Sequence, residues 1–268
     1  ILGFVQGVAE FLPISSSGHL TLFQHFFGLA EPDNLFNVLL HFATLLAVCI
    51  YYFQDVVEMI VEFFRGIAAL FSRHPSHGNP PEARRLVLLV IVGTLPLFAV
   101  LPIKDAVESL SGNMYFVAGA LLVTGCLLFA SDRVRPGRKT EKSATLLDVL
   151  LVGVAQAIAT CPGISRSGTT ITAGCFVGFE RRFAVRYSFL MSIPAILGAN
   201  ILSLKDAVTD IIWADVPVYL VGVAVAAAVG YVCIRLLKMI ADKGKFGAFA
   251  YYCWVVGILT IILTAVKH

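Results

Sequence analysis

Residues 3–18 read GFVQGVAEFLPISSSG, and residues 153–168 read GVAQAIATCPGISRSG. At a constant offset, Gly3, Gln6, Ala9, Ile14, Ser15, Ser17 and Gly18 recur as Gly153, Gln156, Ala159, Ile164, Ser165, Ser167 and Gly168. Both stretches are apolar segments interrupted by Pro, Gly and Ser. Matched broken segments in two halves of a membrane protein mark an inverted repeat, with the site where they meet near the bilayer midplane.

The composition is that of a membrane protein. Apolar residues make up 58% of the 268, charged residues 14%, and mean hydropathy is +0.86; a soluble domain carries about 25% charged residues. The apolar residues fall in runs at 35–53, 86–103, 115–131, 183–204, 216–237 and 248–266, each near the ~20 residues that a helix needs to cross a bilayer. Residues 54–72, with Asp55, Glu58, Glu62 and Arg65, read as an amphipathic surface helix or an extension of the span before it. Irregular backbone is tolerated at membrane depth only where protein or a wet cavity surrounds it, so 1–28 and 146–179 read as re-entrant hairpins. The chain opens at Ile1 without a Met, so a few preceding residues are expected, and no basic stretch there marks a cleavable signal.

Loop charge sets the orientation. Arg133, Arg135, Arg138, Lys139 and Lys142 crowd 132–143; Arg73, Arg84 and Arg85 lie in 72–85; Arg235, Lys238, Lys243 and Lys245 lie in 235–245. Basic loops stay in the cytoplasm. Loops 104–113 and 205–215 are acidic on balance, with Asp105, Glu108, Asp206, Asp210 and Asp215, and suit the outer side. Arg181, Arg182 and Arg186 prefer the same side as 132–143, so hairpin 146–179 enters and leaves from the cytoplasm. Hairpin 1–28, next to Glu31 and Asp33, dips in from outside. The expected architecture is an all-α polytopic membrane protein with inverted-topology repeats, about six spanning helices and two re-entrant helical hairpins. The first repeat covers 1–145 and the second 146–268. A net charge of +3 is too small to suggest nucleic acid. The six cysteines are single, with no CxxC pair or His/Cys ligand spacing, so neither a disulfide framework nor a zinc site is expected.

Two clusters carry chemistry. In the first, Gln6 and Glu10 are four apart and share a helix face; Pro13 then breaks the helix, and Ser15, Ser16, Ser17, Gly18 and His19 follow. Alone, such serines cap the next helix. Glu10 shifts the reading, because an ionisable group in an apolar membrane helix suggests function by default. In the second, Arg166 is the only charged residue between Asp148 and Glu180 and is surrounded by Gly163, Ser165, Ser167, Gly168, Thr169 and Thr170. A guanidinium fork, hydroxyl donors and glycines that let backbone N–H groups approach are what a phosphate needs, and a helix beginning near Thr169 would add its positive end. The bland reading is an arginine that snorkels or pairs with an acid. Recurrence at the repeat position favours one shared site. His41, in an apolar span, reads as a packed or hydrogen-bonded histidine and not as a ligand; His25, His74 and His77 carry no argument.

The stretches 10–19 (EFLPISSSGH) and 162–170 (PGISRSGTT) resemble the two signatures of the bacterial undecaprenyl-pyrophosphate phosphatases of the bacitracin-resistance type, over nearly the whole chain. The resemblance implies a membrane enzyme that hydrolyses the C55 polyprenyl pyrophosphate to the monophosphate. That reaction recycles the cell-wall lipid carrier, in the bacterial cytoplasmic membrane with the site open to the outer face. It implies Glu10, Ser16, His19 and Arg166 as functional positions, with Ser165, Ser167 and Thr170 lining the phosphate pocket. Gln6, Ser15, Ser17, Gly163 and Gly168 complete the substrate-binding set. A divalent cation, Mg²⁺ or Ca²⁺, is implied on Glu10; the family usually has an acid where this chain has Gln6, which leaves Glu10 the sole carboxylate there. The implied partners are the lipid substrate and membrane lipid, and a homodimer stays open.

Ser16 is then the leading nucleophile, activated by His19 or Glu10, with direct attack by water the alternative. The rival from another class is a transporter or flippase of a lipid phosphate or small anion, since inverted repeats with broken helices are typical of transporters. Simple binding requires neither a base nor a nucleophile, which favours the enzyme. Phosphate release in detergent separates the two.

Overall fold

The computed structural model describes residues 1–28, 34–70, 81–207, 215–243 and 245–267. Arg73, His74, His77, Glu31, Asp33, Asp210 and the side chain of Asp206 lie outside the described residues.

The hydropathy pattern resolves into twelve α-helices among the described residues. They are α1 (Leu2–Phe11), α2 (Ser16–Phe27), α3 (Asn34–Tyr51), α4 (Phe53–Leu70), α5 (Glu82–Thr94), α6 (Lys104–Ser109), α7 (Met114–Ser131), α8 (Leu146–Ile158), α9 (Arg166–Phe176), α10 (Arg181–Ala207), α11 (Val216–Lys243) and α12 (Gly247–Lys267). Five helical stretches are long and apolar enough to cross a membrane, or six when the bent α3–α4 pair is taken as one span. The protein is an all-α, multi-pass membrane protein. Large apolar side chains such as Val218, Leu220, Val232, Ile258 and Ile262 are exposed on the helix surfaces, where lipid would cover them.

Two runs differ in detail from the sequence reading. The apolar run at 86–103 is not one helix: α5 stops at Thr94, and 3₁₀ turns at Leu95–Ala99 and Leu101–Ile103 follow, because Pro96 and Pro102 each remove a backbone donor. Between α3 and α4 the axis turns by 90°. At 1.5 Å per residue, α3 alone is about 27 Å long, close to the hydrocarbon thickness, and α4 leaves it at a right angle.

Ion pairs tie the basic loops to one face. Arg181 meets Asp132, Arg186 meets Asp55 and Glu141, and Lys142 meets Glu82. Lys139 N–H donates to Gly178 O at 3.0 Å, and Asp132 accepts the backbone N–H groups of Phe246 and Gly247 at 2.8 and 2.7 Å. Segment 144–180 therefore enters and leaves the bundle at this face. The first hairpin belongs to the other end: Gly3 lies against Gly222 near the start of α11, and Lys267, ending α12, donates to His25 O at 3.2 Å. The two hairpins approach from opposite faces.

Small residues seat both. A Cβ on Gly3 would lie 2.4 Å from Gly222 O, and one on Gly153 would lie 2.2 Å from Gly93 O. Backbones this close are how membrane helices gain packing without a hydrophobic driving force. Thus α1 lies on α11 as α8 lies on α5, with repeat-related glycines at both contacts.

Candidate functional site

The hairpin tips touch in the interior of the bundle. α1 ends at Leu12, whose extended backbone (φ −67°, ψ 142°) is what a following proline imposes. Ser15 then caps α2, its Oγ accepting from Gly18 N–H at 3.2 Å; Ser165 caps α9 in the same way from Gly168 N–H at 3.1 Å. Each capping hydroxyl also lies 3.3 Å from the serine two residues on, Ser17 or Ser167. α9 starts at Arg166, three residues earlier than expected, because Ser165 supplies the cap. Across the contact, Gly163 N–H donates to Ser17 Oγ at 3.4 Å and Ser167 Oγ–H donates to Leu12 O at 3.5 Å. A Cβ on Gly18 would stand 3.1 Å from Gly163 Cα, and Gly163 itself has a φ of 89° that favours glycine.

Glu10 is the centre. It is 8% exposed. One carboxylate oxygen, Oε1, accepts from the Arg166 guanidinium on the other hairpin. The second, Oε2, accepts from Ser16 Oγ–H at 2.7 Å and from Gln6 Nε2–H at 3.0 Å. The Arg166 side chain is 22% exposed, and Ser16 is half-buried, so both stay partly accessible. A hydroxyl, a carboxylate and a guanidinium from two motifs half a chain apart thus share one contact. In this arrangement Arg166 is paired with an acid, and a phosphate would have to compete with Glu10 for it.

Other residues expected here are placed differently. His19 is buried and does not touch Ser16; its Nδ1 lies 2.8 Å from Ser15 O and its Nε2 2.7 Å from Tyr252 Oη. Thr170 Oγ1 is turned inward, donating to Arg166 O at 2.8 Å and lying 2.6 Å from Ser188 Oγ. Ser15, Ser165, Ser167 and Thr170 are buried and engaged in caps and crossings, while Ser17 is exposed beside Ser16.

Two residues escaped the motif reading. His41, on α3, stands with Nδ1 3.1 Å from Gln6 Nε2 and 3.9 Å from Glu10 Oε2, a hydrogen-bonded histidine that adjoins the site. The signal was available: a polar residue alone in an apolar span, the rule that singled out Glu10. Tyr252 gave none, because tyrosine is common in membrane helices as an interfacial residue.

A divalent cation fits the donors in part. Gln6 Oε1 is buried without a hydrogen-bond partner, and Glu10 and Ser16 add oxygens beside it, a hard set of the kind that Mg²⁺ or Ca²⁺ takes. Among the described residues no group of three or more His, Cys, Asp or Glu side chains could hold a metal, so substrate oxygens would have to complete the coordination.

A family model described as Bacitracin resistance protein BacA matches residues 1–259. The chain is 40% identical to the undecaprenyl-diphosphatase of Methanosphaera stadtmanae, over 99% of this chain and 97% of the relative. It is 42% identical to that of Desulforapulum autotrophicum, over 98% and 96%, and 41% identical to that of Halothermothrix orenii, over 99% and 96%. With a match of this extent at both levels, the chain belongs to the BacA family of bacitracin resistance proteins.

Proposed function

We propose that this protein is a membrane phosphatase that hydrolyses undecaprenyl pyrophosphate to the monophosphate, returning the polyprenyl carrier to cell-wall synthesis. The observation that carries the reading is the Glu10 carboxylate, which bridges Ser16 Oγ and the Arg166 guanidinium between the two hairpins. An anion carrier would need the guanidinium but not a hydroxyl bonded to a buried base.

In the proposed reaction Glu10 Oε2 takes the Ser16 proton as Oγ bonds to the terminal phosphorus. The bond from that phosphorus to the bridging oxygen breaks, and undecaprenyl monophosphate leaves with the electron pair and takes the proton from Glu10. Arg166, released from Glu10 as the carboxylate is protonated, stabilises charge on the equatorial oxygens. Water then attacks the phosphoserine phosphorus with the ionised Glu10 again as base, the bond from phosphorus to Ser16 Oγ breaks, Oγ takes the proton back from Glu10, and inorganic phosphate departs. His19 does not act as the base in this scheme, since neither ring nitrogen faces Ser16. A divalent cation, when bound, would neutralise charge on the pyrophosphate, and Glu10 and Gln6 Oε1 are the residues that would hold it.

The halves 1–145 and 146–268 form the two inverted repeats in this reading, supported by the shared caps and the opposed hairpins. The basic face lies in the cytoplasm, as the bias of Lys and Arg requires, and substrate reaches the site from the outer leaflet of the cytoplasmic membrane. The test is release of phosphate from undecaprenyl pyrophosphate by purified protein in detergent, with and without chelator. Turnover that Ser16→Ala abolishes supports the serine route; turnover that survives that substitution would leave direct attack by water. Binding without any release would favour the carrier.

A further inference from the structure

The first hairpin contains a backbone device that the second lacks. Among the described residues Ser15 is the only non-glycine with positive φ, at 75°. Its repeat counterpart Ser165 makes the same cap at an ordinary φ of −75°. Strained backbone of this kind costs on the order of 1–3 kcal/mol and persists only where the surroundings over-determine it. The strain sits directly before Ser16, the residue whose hydroxyl meets Glu10.

His19 is what holds it. Its Nδ1 lies 2.8 Å from Ser15 O; a carbonyl can only accept, so Nδ1 carries the proton. In the neutral ring Nε2 then presents a lone pair that only a donor can fill. The Tyr252 hydroxyl lies 2.7 Å from Nε2, and the two ring planes are nearly parallel, 9° apart. Tyr252 is on α12, 233 positions along the chain from His19. At the repeat position of His19 stands Thr169, buried and without a hydrogen-bond partner for its hydroxyl. A ring fixed at both nitrogens therefore accompanies the strain only on the side that carries Ser16.

We propose that Tyr252 is a positioning residue for the phosphatase reaction. Its phenol O–H donates to His19 Nε2 and fixes the Nδ1–H tautomer. His19 Nδ1–H then holds the Ser15 carbonyl, and the strained Ser15 aims Ser16 Oγ at Glu10. The role acts through His19 and needs no contact between Tyr252 and the reacting atoms. It rests on the phosphatase reading above.

Tyr252→Phe removes only the hydroxyl. Phosphate release from undecaprenyl pyrophosphate should be measured for the wild type, Tyr252→Phe, His19→Ala and the double variant, together with thermal unfolding. The expected result is a kcat lower by about 10–100-fold, the usual cost of losing a partner that orients a functional imidazole, with KM unchanged. In the His19→Ala background the same change should cost nothing more. Wild-type kcat in Tyr252→Phe, or an equal loss in both backgrounds, overturns the proposal. The ¹⁵N spectrum of His19 in the wild-type protein gives a second readout that needs no variant: a protonated Nδ1 and bare Nε2 support it, and the opposite tautomer refutes it. Wild-type protein that releases no phosphate would instead remove the reading on which the proposal rests.

Discussion

Removing Arg166 separates its two jobs. In the resting protein the guanidinium is the positive partner of Glu10, whose side chain is only 6% exposed. Truncation to alanine leaves that carboxylate buried and uncompensated, a defect that costs about 3–5 kcal/mol. During the reaction the same group stabilises the transferred phosphoryl, and loss of one preorganised donor lowers kcat by about 10²–10³-fold. The two effects part in the double variant. Glu10→Gln removes the buried charge, so Arg166→Ala with Glu10→Gln should unfold at a higher temperature than Arg166→Ala alone, while phosphate release stays abolished. Arg166→Lys should recover little activity, because an ammonium cannot supply the bidentate fork. The assay is thermal unfolding in detergent beside phosphate release on the same preparations. Near-normal turnover in folded Arg166→Ala would refute the phosphate role, and a double variant no more stable than the single would refute the burial argument.

The remaining predictions test the chemistry, the packing and the orientation. Ser16→Ala should lose at least about 10²-fold in kcat with little change in thermal stability, since its hydroxyl is only one of three donors on Glu10; unchanged turnover would exclude the serine as nucleophile. Gly3→Leu and Gly153→Leu should each destabilise the protein by at least about 1–3 kcal/mol, because the added Cβ meets backbone oxygens at 2.4 and 2.2 Å that cannot step aside; wild-type unfolding temperatures would contradict the close approach of α1 to α11 and of α8 to α5. In a variant without native cysteines, a thiol at Ser111 should label from outside intact cells and one at Thr140 should not, and the reverse pattern would invert the orientation.

Much of the fold was legible because the bilayer makes it so. A helix in lipid must be apolar along its whole length, so the run 115–131 differs from α7 by one residue at its start, and 248–266 from α12 by one residue at each end. Interruptions were harder to read. Pro96 and Pro102 lie inside an apolar run that hydropathy scores as continuous, yet the chain leaves the α-helix at Thr94. The site divided along similar lines. Glu10 and Arg166 stood out because charge in an apolar segment is rare, and the repeat gave a reason for them to meet. Which partner each side chain takes was not encoded locally. Ser16 lies three positions from His19 and six from Glu10, and the sequence left both open as its base; the unusual φ at Ser15 turns the hydroxyl to Glu10. His41 and Tyr252 come from helices α3 and α12 that no motif marks, and only tertiary packing brings them in.

The offset that relates the two hairpins also aligns the reacting groups. Ser16 and Arg166 occupy the same repeat position, the first residue of a helix capped by the serine before it. An ancestor with one hairpin sequence in both halves would have presented the same side chain twice, from opposite faces, to a shared interior. Such symmetry suffices to bind an anion but not to cleave it, since cleavage needs a nucleophile on one side and a stabilising cation on the other. Around the contact the present chain breaks the symmetry by three substitutions of polar residues and one backbone angle. Glu10 faces Thr160 in the repeat, Ser16 faces Arg166, His19 faces Thr169, and strained Ser15 faces relaxed Ser165. These three substitutions lie within the contact described above or one hydrogen bond from it. Gly3, Ser15, Ser17 and Gly18 recur unchanged as Gly153, Ser165, Ser167 and Gly168. Restoring symmetry therefore makes a sharp test. Arg166→Ser should leave the cap on α9 intact, because Ser165 supplies it, and should return the pocket to two hydroxyls around one carboxylate. Such a protein should fold and lose turnover by about 10²-fold or more. Retained hydrolysis by Arg166→Ser would mean that the division of labour between the hairpins lies elsewhere.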